Sequence, residues 1–130
     1  MKKIVNTVIC SVIGIMLISN IVCASTRYKN YDTTVGKLNG NGYTGYQTKI
    51  VGGANGTLRS NSVGGKYKVD ARMVDKSGDK GKWVRNVDDN STYELPGNSK
   101  QKAKEKVRVQ FSNNINTKVD VQVTGSFRTY

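Results

Sequence analysis

The chain has 130 residues, with 21 Lys and Arg against 9 Asp and Glu and no His, for a formal net charge of +12. Its two cysteines, Cys10 and Cys23, both lie in the first 24 residues. The rest therefore lacks thiol and imidazole, which excludes a serine-histidine-aspartate triad, a cysteine-histidine dyad and the usual zinc and transition-metal ligands there.

Residues 1–24 read as an export signal. Lys2 and Lys3 form a basic end, Val8 to Ile18 is strongly apolar with Ser11 as its interruption, and Val22-Cys23-Ala24 places small residues at the −3 and −1 positions of a cleavage site. Cleavage after Ala24 is the expectation, giving a secreted protein, extracellular or associated with the cell surface. An uncleaved anchor over Ile4 to Ala24 meets the length needed to cross a bilayer, about 20 residues, but the polar pair Ser19 and Asn20 breaks its apolar run. Lipid attachment at Cys23 wants small residues just before it, and Asn20, Ile21 and Val22 stand there instead.

Ser25 to Tyr130 is then a single domain of 106 residues that cannot form a disulfide and must be held by its own core. Residues 25–65 are Gly- and Asn-rich and less regular; residues 66–130 carry the clearer strands. Ser25 to Asn41, with Tyr28, Tyr31, Val35 and Leu38, supports a short strand. Tyr43 to Val51 reads as a strand with Tyr46, Thr48 and Ile50 on one parity and Gln47 and Lys49 on the other. Gly52 to Gly56 is a turn signal, and Leu58 to Gly65 reads as loop.

Tyr67, Val69, Ala71 and Met73 alternate with Lys66, Lys68, Asp70 and Arg72, the pattern of a strand with one buried face. Asp75 to Gly81 is a polar turn, Lys82 to Val87 a return strand, and Thr92 to Leu95 a short edge strand stopped by Pro96. Asn98 to Lys106 has Ala103 as its sole apolar residue and reads as a solvated loop, with a short helical turn as the lesser option. Val107, Val109 and Phe111, then Val119, Val121 and Val123, form the clearest hairpin, with Phe127 on the same parity. No segment has a 3.6-residue apolar period, so about six strands predict an all-β domain: a small antiparallel sandwich or flattened barrel. The expected core is Tyr67, Val69, Ala71, Met73, Trp83, Val107, Val109, Phe111, Val119, Val121, Val123 and Phe127.

Catalysis is not expected. Asp75 with Asp79, or Asp88 with Glu94, would be the carboxylate pairs for glycoside hydrolysis, but all four sit in turns or at strand ends, where solvated acids are usual. Calcium at Asp75 to Asp79 is disfavoured by Lys76, Lys80 and Lys82, and no cofactor or metal is expected. Asn55-Gly56-Thr57 and Asn90-Ser91-Thr92 match glycosylation acceptors, which matter only in a glycosylating host.

Charge carries the functional expectation. Without Lys2 and Lys3, 19 basic residues face 9 acidic ones, a surplus of ten that favours anionic partners. Lys66, Lys68, Arg72, Lys82, Arg85, Lys100, Lys102, Lys104 and Arg108 are the candidate polyanion contacts, and Tyr28, Tyr31, Tyr43 and Tyr46 the candidate aromatic contacts. The expected partner is an anionic wall polymer or polysaccharide, or an anionic membrane surface; export argues against intracellular nucleic acid. The Lys-Lys signal and the Lys-, Asn- and Gly-rich mature part resemble, in general style, the small cationic secreted proteins of Gram-positive bacteria. One alternative is an antimicrobial, bacteriocin-like or toxin-like protein acting on competitor membranes through the terminal hairpin. Another is a protein inhibitor or self-assembling matrix component using a free strand edge.

Overall fold

A computed structural model describes residues 27–130; the proposed signal and its cleavage site lie outside the described residues. Among the described residues nine strands form: β1 (Lys29–Val35), β2 (Asn41–Tyr43), β3 (Gln47–Thr48), β4 (Gly56–Val63), β5 (Val69–Asp75), β6 (Val84–Val87), β7 (Ser91–Leu95), β8 (Lys106–Asn113) and β9 (Val121–Thr129). They make two antiparallel sheets, one in the order β1-β9-β4-β7 and the other β2-β8-β5-β6, with β3 also pairing β8. The arrangement is all-β and sandwich-like, and it does not close into a barrel.

The alternating residues do fill the core. Val69, Ala71, Met73, Val107, Val109, Phe111, Val121, Val123 and Phe127 are all buried, joined by Tyr31, Val35, Leu58, Val63, Val87 and Leu95. Tyr67 and Val119, expected inside, are 40% and 44% exposed because each lies outside its neighbouring strand, in a connection. Trp83 precedes β6, half-buried and outside the core cluster.

The terminal hairpin does not exist as a pair. β8 lies between β2 and β5 in one sheet, β9 lies between β1 and β4 in the other, and residues 114–120 cross between the sheets. Alternation marks which face of a strand is buried and is silent on its neighbour. Membrane insertion of these two strands would require dismantling the core, since their inward side chains are at most 2% exposed.

The segment expected as loop, Leu58 to Gly65, is mostly β4, an interior strand of its sheet. A bulge between Ser60 and Ser62 shifts its parity, so that Leu58 and Ser60 face inward before it and Val63 after it. Opposite, on β9, Gly125 leaves room for the Tyr31 ring: a Cβ there would sit 2.9 Å from the ring carbon and clash with the Arg59 carbonyl oxygen.

Tyr43 to Val51 holds the last residue of β2 and the two-residue β3, and its buried parity is the polar one. Gln47 and Lys49 are 4% and 0% exposed. The Gln47 amide donates to the Phe127 carbonyl and accepts from the Thr129 amide at 3.2 Å, so a side chain from β3 completes the ladder of β9 in the opposite sheet. The Lys49 ammonium donates to the Ala54 carbonyl, to Thr129 Oγ1 at 3.2 Å and to the Tyr130 carbonyl at 3.3 Å. Burial pulls the Lys49 pKa below its ordinary 10.5.

Three connections meet at this end. Lys104 N donates to the Lys49 carbonyl at 2.7 Å, and Gly53 N to the Gln101 carbonyl at 2.9 Å. Gln101 is fully buried and donates to the Met73 and Asp79 carbonyls, so the Asn98 to Lys106 run has one inward polar anchor among its exposed lysines. The Asp75 to Gly81 turn closes on itself as an aspartate-capped turn, with Asp75 Oδ1 accepting the Asp79 amide at 2.8 Å.

Candidate polyanion-binding face

The outer face of the five-stranded sheet follows from register. On β8, Val107, Val109 and Phe111 point inward, so Arg108 and Gln110 point out; on β5, Asp70 and Arg72 point out by the same alternation. Pairing places Tyr43 and Arg72 on either side of Gln110 and sets Val74 beside Arg108. Trp83 and Arg85, two residues apart at the start of β6, extend the face beyond Arg72.

These side chains alternate ring and cation across the sheet. The Arg108 guanidinium lies 4.0 Å from the Tyr43 ring centroid and 4.6 Å from that of Tyr46, whose ring also has the Lys76 ammonium at 5.0 Å. Arg72 sits 4.1 Å from the Trp83 ring, with Arg85 5.7 Å from it. Each close stack contributes about 0.5–1 kcal/mol at an exposed site. A planar guanidinium lying on a ring keeps its N–H edge available for a forked contact with carboxylate, sulfate or phosphate.

Hydrogen bonds fix two members. Arg72 Nε donates to Gln110 Oε1 at 2.8 Å, and Gln110 Nε2 donates to Asn41 Oδ1 at 3.1 Å. Burial lowers the Arg72 pKa and the nearby Tyr43 phenol opposes that fall, but a guanidinium stays charged at any neutral pH. Arg85 is the compensated cation, held to Asp70 at 2.6 Å. Among the described residues the other ion pair is Lys68 with Asp88 at 3.8 Å, so Arg72, Arg108 and Lys76 face outward without a carboxylate partner.

Not every expected contact joins this face. Arg72, Arg85, Arg108, Tyr43 and Tyr46 do. Lys82 is exposed just before Trp83, and Lys100, Lys102 and Lys104 are exposed on the loop tied to the neighbouring turn by Asn98 Nδ2 and the Lys80 carbonyl at 2.9 Å. Lys66 and Lys68 sit at the opposite end, in the connection entering β5. Tyr28 belongs to the other sheet, beside Arg59 and Arg128. Tyr31 is no surface contact: it is 7% exposed, its ring centroid 5.2 Å from that of Phe111, and burial pushes its phenol pKa up. Sequence reasoning missed Trp83 and Lys76 as members; the shared parity of Trp83 and Arg85 was the available signal.

A cavity of about 80 Å³ opens beside Tyr46, between the start of β1 and residues 44–47, with Lys29 and Asn30 on one wall and Phe127 within. At about 30 Å³ per water it has room for roughly two or three waters and is too small for an organic ligand, whose sites run to about 300 Å³ or more. In comparisons with known proteins, no family model matches the chain and no curated protein matches it significantly.

Proposed function

We propose that this chain is a secreted, non-enzymatic protein that binds a linear anionic polymer of the cell envelope or extracellular space through the outer face of its five-stranded sheet. The observation that carries this reading is the row Tyr46, Arg108, Tyr43, Arg72 and Trp83, in which guanidinium groups are presented on aromatic rings without carboxylate partners. Rings stack on sugar units while forks engage the anions, and the exposed lysines at 100, 102 and 104 extend the positive field beyond one end of the face.

Co-sedimentation of Ser25 to Tyr130 with washed bacterial walls, with and without their anionic polymers, tests this across a salt series. Retention that needs the polymers and declines with salt is expected. Protein left in the supernatant at low salt would reduce the charge to a solubility device. Leakage of anionic vesicles with no wall retention would favour the membrane-directed alternative.

A further inference from the structure

We infer that the chain is bivalent, with a second anion-binding cluster on the outer face of the four-stranded sheet, so that it bridges two polymer chains. This rests on the reading above and extends it to a surface of separate composition. Arg59 on β4 and Arg128 on β9 both stack on Tyr28, at 3.8 and 4.7 Å from its ring centroid. Arg128 also lies 4.5 Å from the Tyr130 ring and donates from Nη2 to the Tyr130 hydroxyl. Its Nε is buried without a protein acceptor, and neither arginine enters either ion pair formed among the described residues.

Strand register puts no carboxylate directly opposite either arginine. Ser126 and Thr92 flank Arg59, and Thr57 lies beside Arg128. Glu94, on β7, is the diagonal neighbour of Arg59 and enters no ion pair among the described residues. Asp32 is two rows away and bonded to Gln122. The cluster repeats the arrangement of the first face, two guanidinium groups around half-buried rings, but shares no residue with it. Packed sheets stand about 10 Å apart and their outer side chains point away from each other. A straight polymer segment on one face therefore cannot reach the other, and the second cluster is free for a second chain.

Two probes separate binding from bridging. Calorimetry with a short dextran sulfate oligomer is expected to give about two oligomers per protein, and light scattering with long dextran sulfate is expected to show assemblies at low protein-to-polymer ratio. Arg59→Gln with Arg128→Gln should bind one oligomer and lose the scattering, with unchanged sedimentation in the absence of polymer. Thr57→Glu, which sets a carboxylate beside Arg128, should do the same and serves if the double variant fails to fold. A stoichiometry of one in the unaltered protein, or undiminished scattering by folded variants, would overturn bivalence while leaving the first face intact. Failure of the unaltered protein to bind either probe would remove both readings.

Discussion

Lys49 Nζ donates to Thr129 Oγ1 at 3.2 Å in a fully buried position at the end of the core, with carbonyl and hydroxyl oxygens as its acceptors. A desolvated ammonium releases its proton more readily when folded than when unfolded. Between the lowered folded value and the ordinary 10.5, the unfolded chain binds more protons, so folding stability rises with pH through that window. Tyr31 acts oppositely: its folded value is raised, so its contribution is intact below the ordinary 10.0 and lost above it. Urea unfolding at neutral pH and at mildly alkaline pH below 10 isolates Lys49. The unaltered protein should gain stability over that interval by more than Lys49→Met does; equal gains would contradict the assignment.

Gln47 joins the sheets, bonding through one amide to Phe127 and Thr129. Gln47→Ala leaves a buried carbonyl and a buried N–H without partners, and the expected cost is about 2–4 kcal/mol at roughly 1–2 kcal/mol for each group. Gln47→Glu should cost at least as much, because a carboxylate cannot donate to the Phe127 carbonyl. Denaturant midpoints read both; a loss under about 0.5 kcal/mol for the alanine variant would show that the stitch contributes little.

The sheet order has a covalent test made clean by the absence of cysteine from residues 25–130. Asp32 and Thr124 face each other across β1 and β9, so cysteines at these two positions should oxidise to an intramolecular disulfide. Gln110 and Gln122, on β8 and β9, point outward from opposite sheets, and cysteines there should stay reduced or link separate molecules. A hairpin of β8 with β9 would bring the second pair within reach.

The sequence displays the strands whose buried residues are apolar and regularly spaced. Val69 to Met73 and Val107 to Phe111 are read correctly for that reason, and the β5 and β6 pairing follows from the intervening polar turn. β4 is illegible because Ser60 fills a buried position and a bulge reverses the parity on the way to Val63. The Gln47 and Lys49 segment misleads because buried polar groups that satisfy backbone atoms look, in a sequence, like a wet face. Of the candidate site, the basic outward parity of β5 and β8 is legible; its convergence with Tyr43, Tyr46 and Trp83 depends on strand order, which alternation does not encode.

Aromatic support is separable from charge. Arg108→Lys keeps the cation between Tyr43 and Tyr46 but loses the planar fork, so affinity for dextran sulfate should fall about threefold to tenfold while the salt dependence stays nearly the same. Tyr43→Ala, removing one ring of the stack, should act in the same direction. Unchanged affinity in both would mean that only net charge matters.

The most direct measurement compares equilibrium binding of an anionic wall polymer by the unaltered protein, by Arg72→Gln with Arg108→Gln, and by Lys66→Gln with Lys68→Gln, over a salt series. Both variants lose two charges, so a purely electrostatic protein would treat them alike. The arginine variant should bind about tenfold or more weakly, equivalent to 1.4 kcal/mol, with a shallower salt slope, and the lysine variant should stay within about threefold of the unaltered protein. Equal losses in the two variants would contradict a binding face on the five-stranded sheet.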